Sequence, residues 1–221
     1  MKIALDGPSG AGKSTVAKAL AKRLGIIYVD TGALYRTIGL FVKEKGVDKG
    51  DREGVISLLP KIDLNMEFTN GEQIITLNGS RVGDEIRTGE IAMYASAVSA
   101  IPEVRAFLLN TQRDIAAKNS VVMDGRDIGT VILPDAEVKV FMVASPEARA
   151  RRRYLELSAK GESCTLEGVL ADIVERDKND STRKTAPCVP AEDAVIFDNS
   201  DYDIEGSVDE VIKIIKTKVN L

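Results

Sequence analysis

A chain that carries G-x-x-x-x-G-K-[ST] between an apolar strand and a helix has little freedom in how it begins. The segment Gly7-Pro8-Ser9-Gly10-Ala11-Gly12-Lys13-Ser14 matches that pattern at every fixed position. Ile3-Ala4-Leu5 before it is a short apolar run of buried-strand type. Val16, Ala19, Leu20 and Leu24 after it recur at helical spacing until Gly25 offers a stop. Glycines let the backbone wrap closely round phosphate oxygens, so several N–H groups and the helix N-terminus point at negative charge. Lys13 adds a mobile cation for β- and γ-phosphates, and Ser14 a hydroxyl for Mg²⁺. An ordinary glycine-rich turn could mimic the pattern, but the strand before and the helix after are the setting in which it binds a nucleoside triphosphate.

The next segments repeat the strand-then-helix order. Ile26-Ile27-Tyr28-Val29 reads as a second buried strand ending in Asp30-Thr31-Gly32, and Ala33 to Val42 read as a helix. Between about Lys61 and Arg87 the period changes to two. Ile62, Leu64, Met66 and Phe68 alternate with polar residues, Asn70-Gly71 signals a hairpin, and Ile75-Thr76-Leu77 leads to a second turn at Asn78-Gly79. This predicts a small antiparallel sheet inserted into an α/β chain, either a surface decoration or a cap over a substrate. Helical patterning returns from about Thr88 to Ala117 with a break at Pro102. Ser120 to Asp124 and Glu137 to Ala144 read as strands, Ser145-Pro146 as the start of an arginine-rich helix, and Lys160 to Ser163 as irregular. A helix from about Thr165 to Asp180, a fifth strand at Ala194 to Asp198 and a closing amphipathic helix complete the chain. The expected fold is a three-layer α/β/α core with a five-stranded parallel sheet and right-handed crossovers, plus the antiparallel insertion. In domain terms this is one chain, 1–221, with core 1–60 and 88–221 and insertion 61–87.

Composition narrows the function classes. The 221 residues hold no histidine and carry a net charge of −4. A groove for polymeric nucleic acid would call for a basic face, so any polyanion must meet a local arginine cluster. No apolar run approaches the roughly 18 residues of a spanning helix, and no targeting segment is evident. The expectation is a cytoplasmic protein with no membrane partner. Cys164 and Cys188 lie far apart without metal-type partners and read as reduced structural thiols. Without histidine, the usual side chain for proton transfer near neutral pH is missing, so the reaction should not need one.

Ligands of open parallel sheets bind at the carboxyl ends of the strands. Strand one is followed there by the phosphate loop, strand two by Asp30-Thr31-Gly32 and then Arg36, and strand three by Asp124-Gly125-Arg126-Asp127. Asp124 suits a carboxylate holding Mg²⁺ or its waters, or else a turn aspartate. Arg126 and Asp127 would face the cleft, or form a surface ion pair. Arg176, Asp180 and Arg183 stand at i, i+4 and i+7 and on a continuous helix share one face, where a solvated pair is the simpler alternative. Arg149, Arg151, Arg152 and Arg153 span more than one helix face, so at most one or two can reach a site. A donor triphosphate and an acceptor phosphate together would need such arginines and Mg²⁺ to offset their charge.

Four segments together resemble the bacterial cytidylate (CMP/dCMP) kinase family of P-loop nucleoside monophosphate kinases. They are Gly7 to Thr15, Asp30-Thr31-Gly32-Ala33-Leu34-Tyr35-Arg36, Asp124-Gly125-Arg126-Asp127-Ile128-Gly129-Thr130, and Glu175-Arg176-Asp177 through Asp180 to Arg183. The resemblance covers nearly the whole chain, including the insertion, which the family has as an enlarged monophosphate-binding region. Thr31 stands where many relatives have serine, a change that retains the hydroxyl. The resemblance implies that Thr31, Arg36, Arg126 and Arg183 hold the CMP phosphate, that Ser96, Arg105 and Asp127 read cytosine, and that Arg176 and Asp180 hold the ribose. It implies a lid at about 145–165, with Arg149 and Arg153 as candidates toward ATP, Lys13, Arg126 and Arg183 as the catalytic cations, and Ser14 with Asp124 at Mg²⁺. The partners it implies are the small-molecule substrates ATP and CMP or dCMP, and the protein it implies is a monomer. The acceptor pattern is chemically apt, because cytosine offers an N4 donor to a carboxylate and N3/O2 acceptors to an arginine. Rival readings are another small-molecule P-loop kinase, a regulatory ATPase module, or a nucleotide switch. The switch would carry an Asn-Lys-x-Asp guanine reader, which is absent; Asp51-Arg52-Glu53-Gly54 spells D-x-x-G outside any strand-end context.

Overall fold

The computed structural model describes residues 1–69, 71–159 and 161–219. Its larger sheet is built from β1 (Lys2–Asp6), β2 (Ile27–Asp30), β6 (Val121–Asp124), β7 (Val138–Val143) and β8 (Val195–Asp198). The five strands run in the order β2-β6-β1-β7-β8. A second sheet of three strands, β3 (Leu64–Thr69), β4 (Glu72–Leu77) and β5 (Ser80–Arg81), is the expected antiparallel insertion. By contact the chain divides into two compact units, Met1–Ile26 with Val121–Leu221, and Ile27–Ser120.

In the first unit β1 pairs in parallel with β6 and with β7, and β7 in parallel with β8. Ile3, Ala4 and Leu5 are fully buried, as are Val121, Val122 and Met123. Such continuous apolar runs are what a sheet covered on both faces demands. Helix α1 (Lys13–Leu24) follows β1 and stops at Gly25, whose φ of 65° lets it cap the last turn. α6 (Pro146–Ala159) starts as its Ser145-Pro146 signature requires, the Ser145 hydroxyl accepting from Ala148 N–H at 3.1 Å. α7 (Leu166–Thr182) packs on it through Ala150, Val169 and Ile173, and α8 (Ile204–Lys218) closes the unit with Val208, Val211 and Ile215 buried.

In the second unit the amphipathic α2 (Thr31–Glu44) meets α4 (Gly89–Ser99) and α5 (Pro102–Lys118). Leu34, Ile38, Val42, Val98, Val104 and Leu108 are wholly buried in one cluster that also takes Ile75 and Leu77 of β4. Each such side chain contributes roughly 1.5–3 kcal/mol by leaving water. β3 alternates as its period of two predicts, Leu64, Met66 and Phe68 half-buried and Asn65, Glu67 and Thr69 exposed. The turn at Asn78-Gly79 has φ of 50° and 81°, the paired positive values of a tight two-residue hairpin. Asn70 and Lys160 lie outside the described residues.

Two local expectations, the start of α2 and the shared helix face of Arg176, Asp180 and Arg183, need correcting, and two others gain detail. α2 begins at Thr31, two residues before the apolar stretch, because Asp30 accepts from Ala33 N–H and caps it. The break near Pro102 spans Ala100 and Ile101, where Ile101 turns extended before proline. Asp51 of the D-x-x-G string is a helix cap, accepting from Gly54 N–H at 2.9 Å at the start of α3 (Arg52–Leu58). α7 ends at Thr182, and Arg183 is extended at φ −61°, ψ 142°, so Arg176, Asp180 and Arg183 do not share a continuous helix. Among the described residues no single helix is long and apolar enough to cross a membrane. α4 and α5 pass such a test only jointly, across a bend of 97°, and their apolar faces supply the core of the second unit.

Candidate active site

The phosphate loop is fixed by the strand it passes. Gly7, at φ 143°, lies so close to β7 that a Cβ would sit 2.0 Å from the Met142 carbonyl oxygen. No other residue fits there without moving the sheet. Gly12, at φ 81°, is the left-handed residue that turns the loop into α1. The loop's carbonyls are drawn off by side chains. Lys13 Nζ donates to Pro8 O at 2.7 Å, Arg149 Nη1 to Ser9 O at 3.0 Å, and Asn199 Nδ2 to Ala11 O at 3.0 Å.

Ser14, the next residue of α1, donates its hydroxyl to Asp124 Oδ2 at 2.7 Å. Asp124 ends β6 and is 5% exposed. Serine hydroxyl and aspartate carboxylate are hard oxygen donors, the type that Mg²⁺ accepts. Lys13, beside them, is buried, and burial with the nearby Arg126 guanidinium lowers its pKa to about 7 against the pull of Asp124, Cys188 and Asp6. Asp6, the last residue of β1, is buried too. Its two carboxylate oxygens accept from Ile128 N–H at 2.8 Å and Gly129 N–H at 2.7 Å. Burial nevertheless raises its pKa to about 6, helped by Asp127 and opposed by those two N–H groups and Lys13. Asp127 is 3% exposed and precedes a π-helical turn, Ile128–Ile132, of the kind often found at functional positions.

A second charged centre in this unit is Asp180, buried near the end of α7. Arg126 Nε donates to it at 3.1 Å, and Arg183 and Arg176 stand at 3.8 and 4.0 Å. Burial works against the Arg126 charge, but the neighbouring Asp180, Cys188 and Asp124 together favour it and the guanidinium pKa stands above its ordinary value. Arg183 is tethered by Nε to Ala186 O at 2.7 Å, and Cys188 N–H donates to Asp180 O at 2.8 Å. The structure thus gathers three of the expected residues, Arg126, Arg176 and Arg183, around the carboxylate of a fourth, Asp180, although α7 does not continue through Arg183.

Arg149 and Arg153 are placed differently from each other. Arg149 is 3% exposed, and its guanidinium is engaged by Ser9 O, Ala144 O and the Asp177 carboxylate, the last at 2.6 Å. It ties the phosphate loop to α7. Arg153 pairs with Glu156 one turn along α6 at 2.8 Å, both partly exposed. Thr15 is exposed on α1, following Ser14.

The remaining expected residues belong to the second unit. Thr31 is buried and Arg36 half-buried on α2. Ser96 is half-buried on α4, its carbonyl accepting from the Ser99 hydroxyl. Arg105 of α5 is 8% exposed, donates to Ser99 O at 3.1 Å, and holds its guanidinium 5.5 Å from the Tyr35 ring centroid. α2, α4 and α5 thereby bring Tyr35, Ser96 and Arg105 into one neighbourhood.

Sequence reasoning missed Asp6 and Asn199, and named Arg152 only as one of its arginine cluster. Arg152 Nη2 donates to Asn199 O at 2.7 Å, fixing the turn whose side chain holds Ala11. A signal for two of them was available: Asp6 and Asn199 stand at strand carboxyl ends, where ligand-side residues of a parallel sheet collect.

The cytidylate kinase family model matches residues 3–217. A cytidylate kinase of Thermosipho melanesiensis is 50% identical over 220 residues, covering 100% of this chain and 99% of that protein. One of Fervidobacterium nodosum is 49% identical over 220 residues, covering 100% and 98%. The crystal structure of an uncharacterized protein from Eubacterium ventriosum superposes with a TM-score of 0.51 at 15% identity, covering 98% of this chain and 99% of that one, a likeness of fold alone. Similarity at about half identity that runs from the first strand to the last helix leaves no element outside it: the chain belongs to the cytidylate kinase family.

Proposed function

We propose that the protein transfers the γ-phosphoryl group of ATP to CMP or dCMP, giving CDP or dCDP and ADP. The observation that carries this reading is the Ser14 hydroxyl bonded to Asp124 Oδ2 at 2.7 Å, which brings together two cations, Lys13, buried on the phosphate loop next to Ser14, and Arg126, two residues after Asp124. Like charges gathered in a buried place are unfavourable in the free protein and are reconciled by a polyanion. Lys13 then serves the donor phosphates and Arg126, with Arg183, the acceptor phosphate.

An oxygen of the CMP phosphate, largely ionised at pH 7 because its second pKa is about 6, attacks the γ-phosphorus. The bond to the β–γ bridging oxygen breaks, and its electrons leave with ADP. No side chain needs to take a proton, which is consistent with a chain that has no histidine. Gly7 to Thr15 would hold ATP through backbone N–H groups, and Ser14 and Asp124 would hold Mg²⁺, which when bound neutralises charge between the β- and γ-phosphates. Thr31 and Arg36 are assigned to the acceptor phosphate, Arg176 and Asp180 to the ribose, and Ser96, Arg105 and Asp127 to cytosine. We also assign the monophosphate-binding role to segment 61–87 and the lid to about 145–165, with Arg153 as the lid cation toward ATP. Arg149, fully engaged with loop and α7, holds the loop that ATP meets. One chain carries every assigned residue, so we propose a monomer, acting in the cytoplasm where its nucleotide substrates are.

A coupled ADP-release assay with each nucleoside monophosphate tests the reading. CMP and dCMP should stimulate release well above the acceptor-free rate, and absence of that stimulation would sink it. Asp127→Ala tests base recognition. Because a carboxylate accepts from cytosine N4 and repels uracil O4, the preference for CMP over UMP should shrink by about 1–3 kcal/mol. Unchanged discrimination would move base reading to other residues.

A further inference from the structure

Gln73 breaks the pattern of its strand. On β4 it shares a face with Ile75 and Leu77, both buried in the core of the second unit, so a polar amide continues an apolar row. The amide is satisfied by the main chain of one residue, Asp30. Gln73 Oε1 accepts from Asp30 N–H at 2.8 Å, and Gln73 Nε2 donates to Asp30 O at 3.1 Å. β2, which ends at Asp30, is an edge strand. The side-chain amide therefore acts as a one-residue strand partner, with donor and acceptor disposed as in a peptide group. Asp30 is in turn the cap of α2, its carboxylate accepting from Ala33 N–H at 3.0 Å, and the next residue is Thr31.

We infer that Gln73 is a positioning residue for the acceptor: it ties the three-stranded sheet to the turn that presents Thr31 and the first turn of α2. The inference rests on the assignment of Thr31 and Arg36 to the CMP phosphate. It gives the insertion a task that requires no contact with the nucleotide. The two amide bonds hold both main-chain groups of the residue before Thr31, so losing them frees that turn while the β3–β4 ladder, paired from Leu64–Leu77 to Thr69–Glu72, stays intact. Small displacements of binding groups are amplified in catalysis, a misplacement of about 1 Å costing up to about 10²-fold.

Gln73→Met keeps length and apolar packing but removes both bonds. KM for CMP should rise about 10-fold while KM for ATP stays within about 2-fold, and hydrogen exchange at the Asp30 amide should accelerate while the β4 ladder amides keep their protection. If the parent protein does not act on CMP, the functional reading fails and this inference falls with it. If the parent acts on CMP and the variant keeps the parental KM for CMP, or raises both KM values alike, the inference alone is overturned. Unchanged exchange at Asp30 would overturn it as well.

Discussion

Lys13→Met is expected to lower kcat by about 10³-fold or more, the scale of losing a preorganised charge on the transferring group. The free variant should nonetheless be at least as stable as the parent. Lys13 is buried and its pKa is lowered from 10.5 to about 7, so folding disfavours its charged form. For a base whose folded pKa lies below its unfolded one, this penalty is fully present below pH 7 and fades as pH rises toward 10.5. Methionine removes it, and the stability gain should be larger at pH 6 than at pH 10. Denaturant unfolding at both pH values and single-turnover kinetics check the two halves. A variant that turned over at near-parental rate would contradict the role given to the loop, and one destabilised at pH 6 would contradict the electrostatic account. Sites that hold like charges for a ligand are where stability and activity part company.

Asp6→Ala is expected to cost about 3 kcal/mol of stability at pH 7, because two buried N–H groups, those of Ile128 and Gly129, lose their acceptors at about 1–3 kcal/mol each. The sign of the pH dependence is informative. Asp6 has a folded pKa of about 6 against 3.8 for an unperturbed aspartate carboxyl. The native protein thus binds the proton more tightly, and this group stabilises increasingly as pH falls from about 6 to about 4. The loss on substitution should therefore grow as pH falls through that window. Chemical denaturation of both proteins at pH 4.5 and 7 isolates this group from the other carboxylates. A difference that shrank on acidification would refute the assignment. Since Ile128 and Gly129 follow Arg126 and Asp127 directly, the variant should also raise KM for CMP.

Much of the phosphate loop was legible in the sequence. Glycine at 7 and 12 and the Lys13-Ser14 pair constrain backbone and chemistry within a few residues, so local pattern sufficed. The antiparallel insertion was legible for a similar reason, since period-two alternation and Asn78-Gly79 state their own geometry. The charged centre at Asp180 was less so. Nothing local to Asp180 says that Arg126, 54 residues away, will donate to it at 3.1 Å. Reading 176, 180 and 183 as one helix face placed the right residues together for a reason that the extended Arg183 does not share. Arg149 and Arg153 look alike in sequence, and only packing distinguishes a buried tie between loop and α7 from an exposed i,i+3 pair.

By itself the sequence determined the class of fold, the phosphate loop and the family, because each of these is written in short-range spacing or in motifs that recur along nearly the whole chain. Tertiary structure alone decided which polar groups meet. It turned Asp6 into an acceptor for two N–H groups on another segment, set Asn199 and Arg149 against the loop's carbonyls, and made Gln73 a strand partner for Asp30. The physical reason is that a buried donor or acceptor must be satisfied wherever the packed core happens to place it, and the partner's position along the chain carries no weight in that requirement.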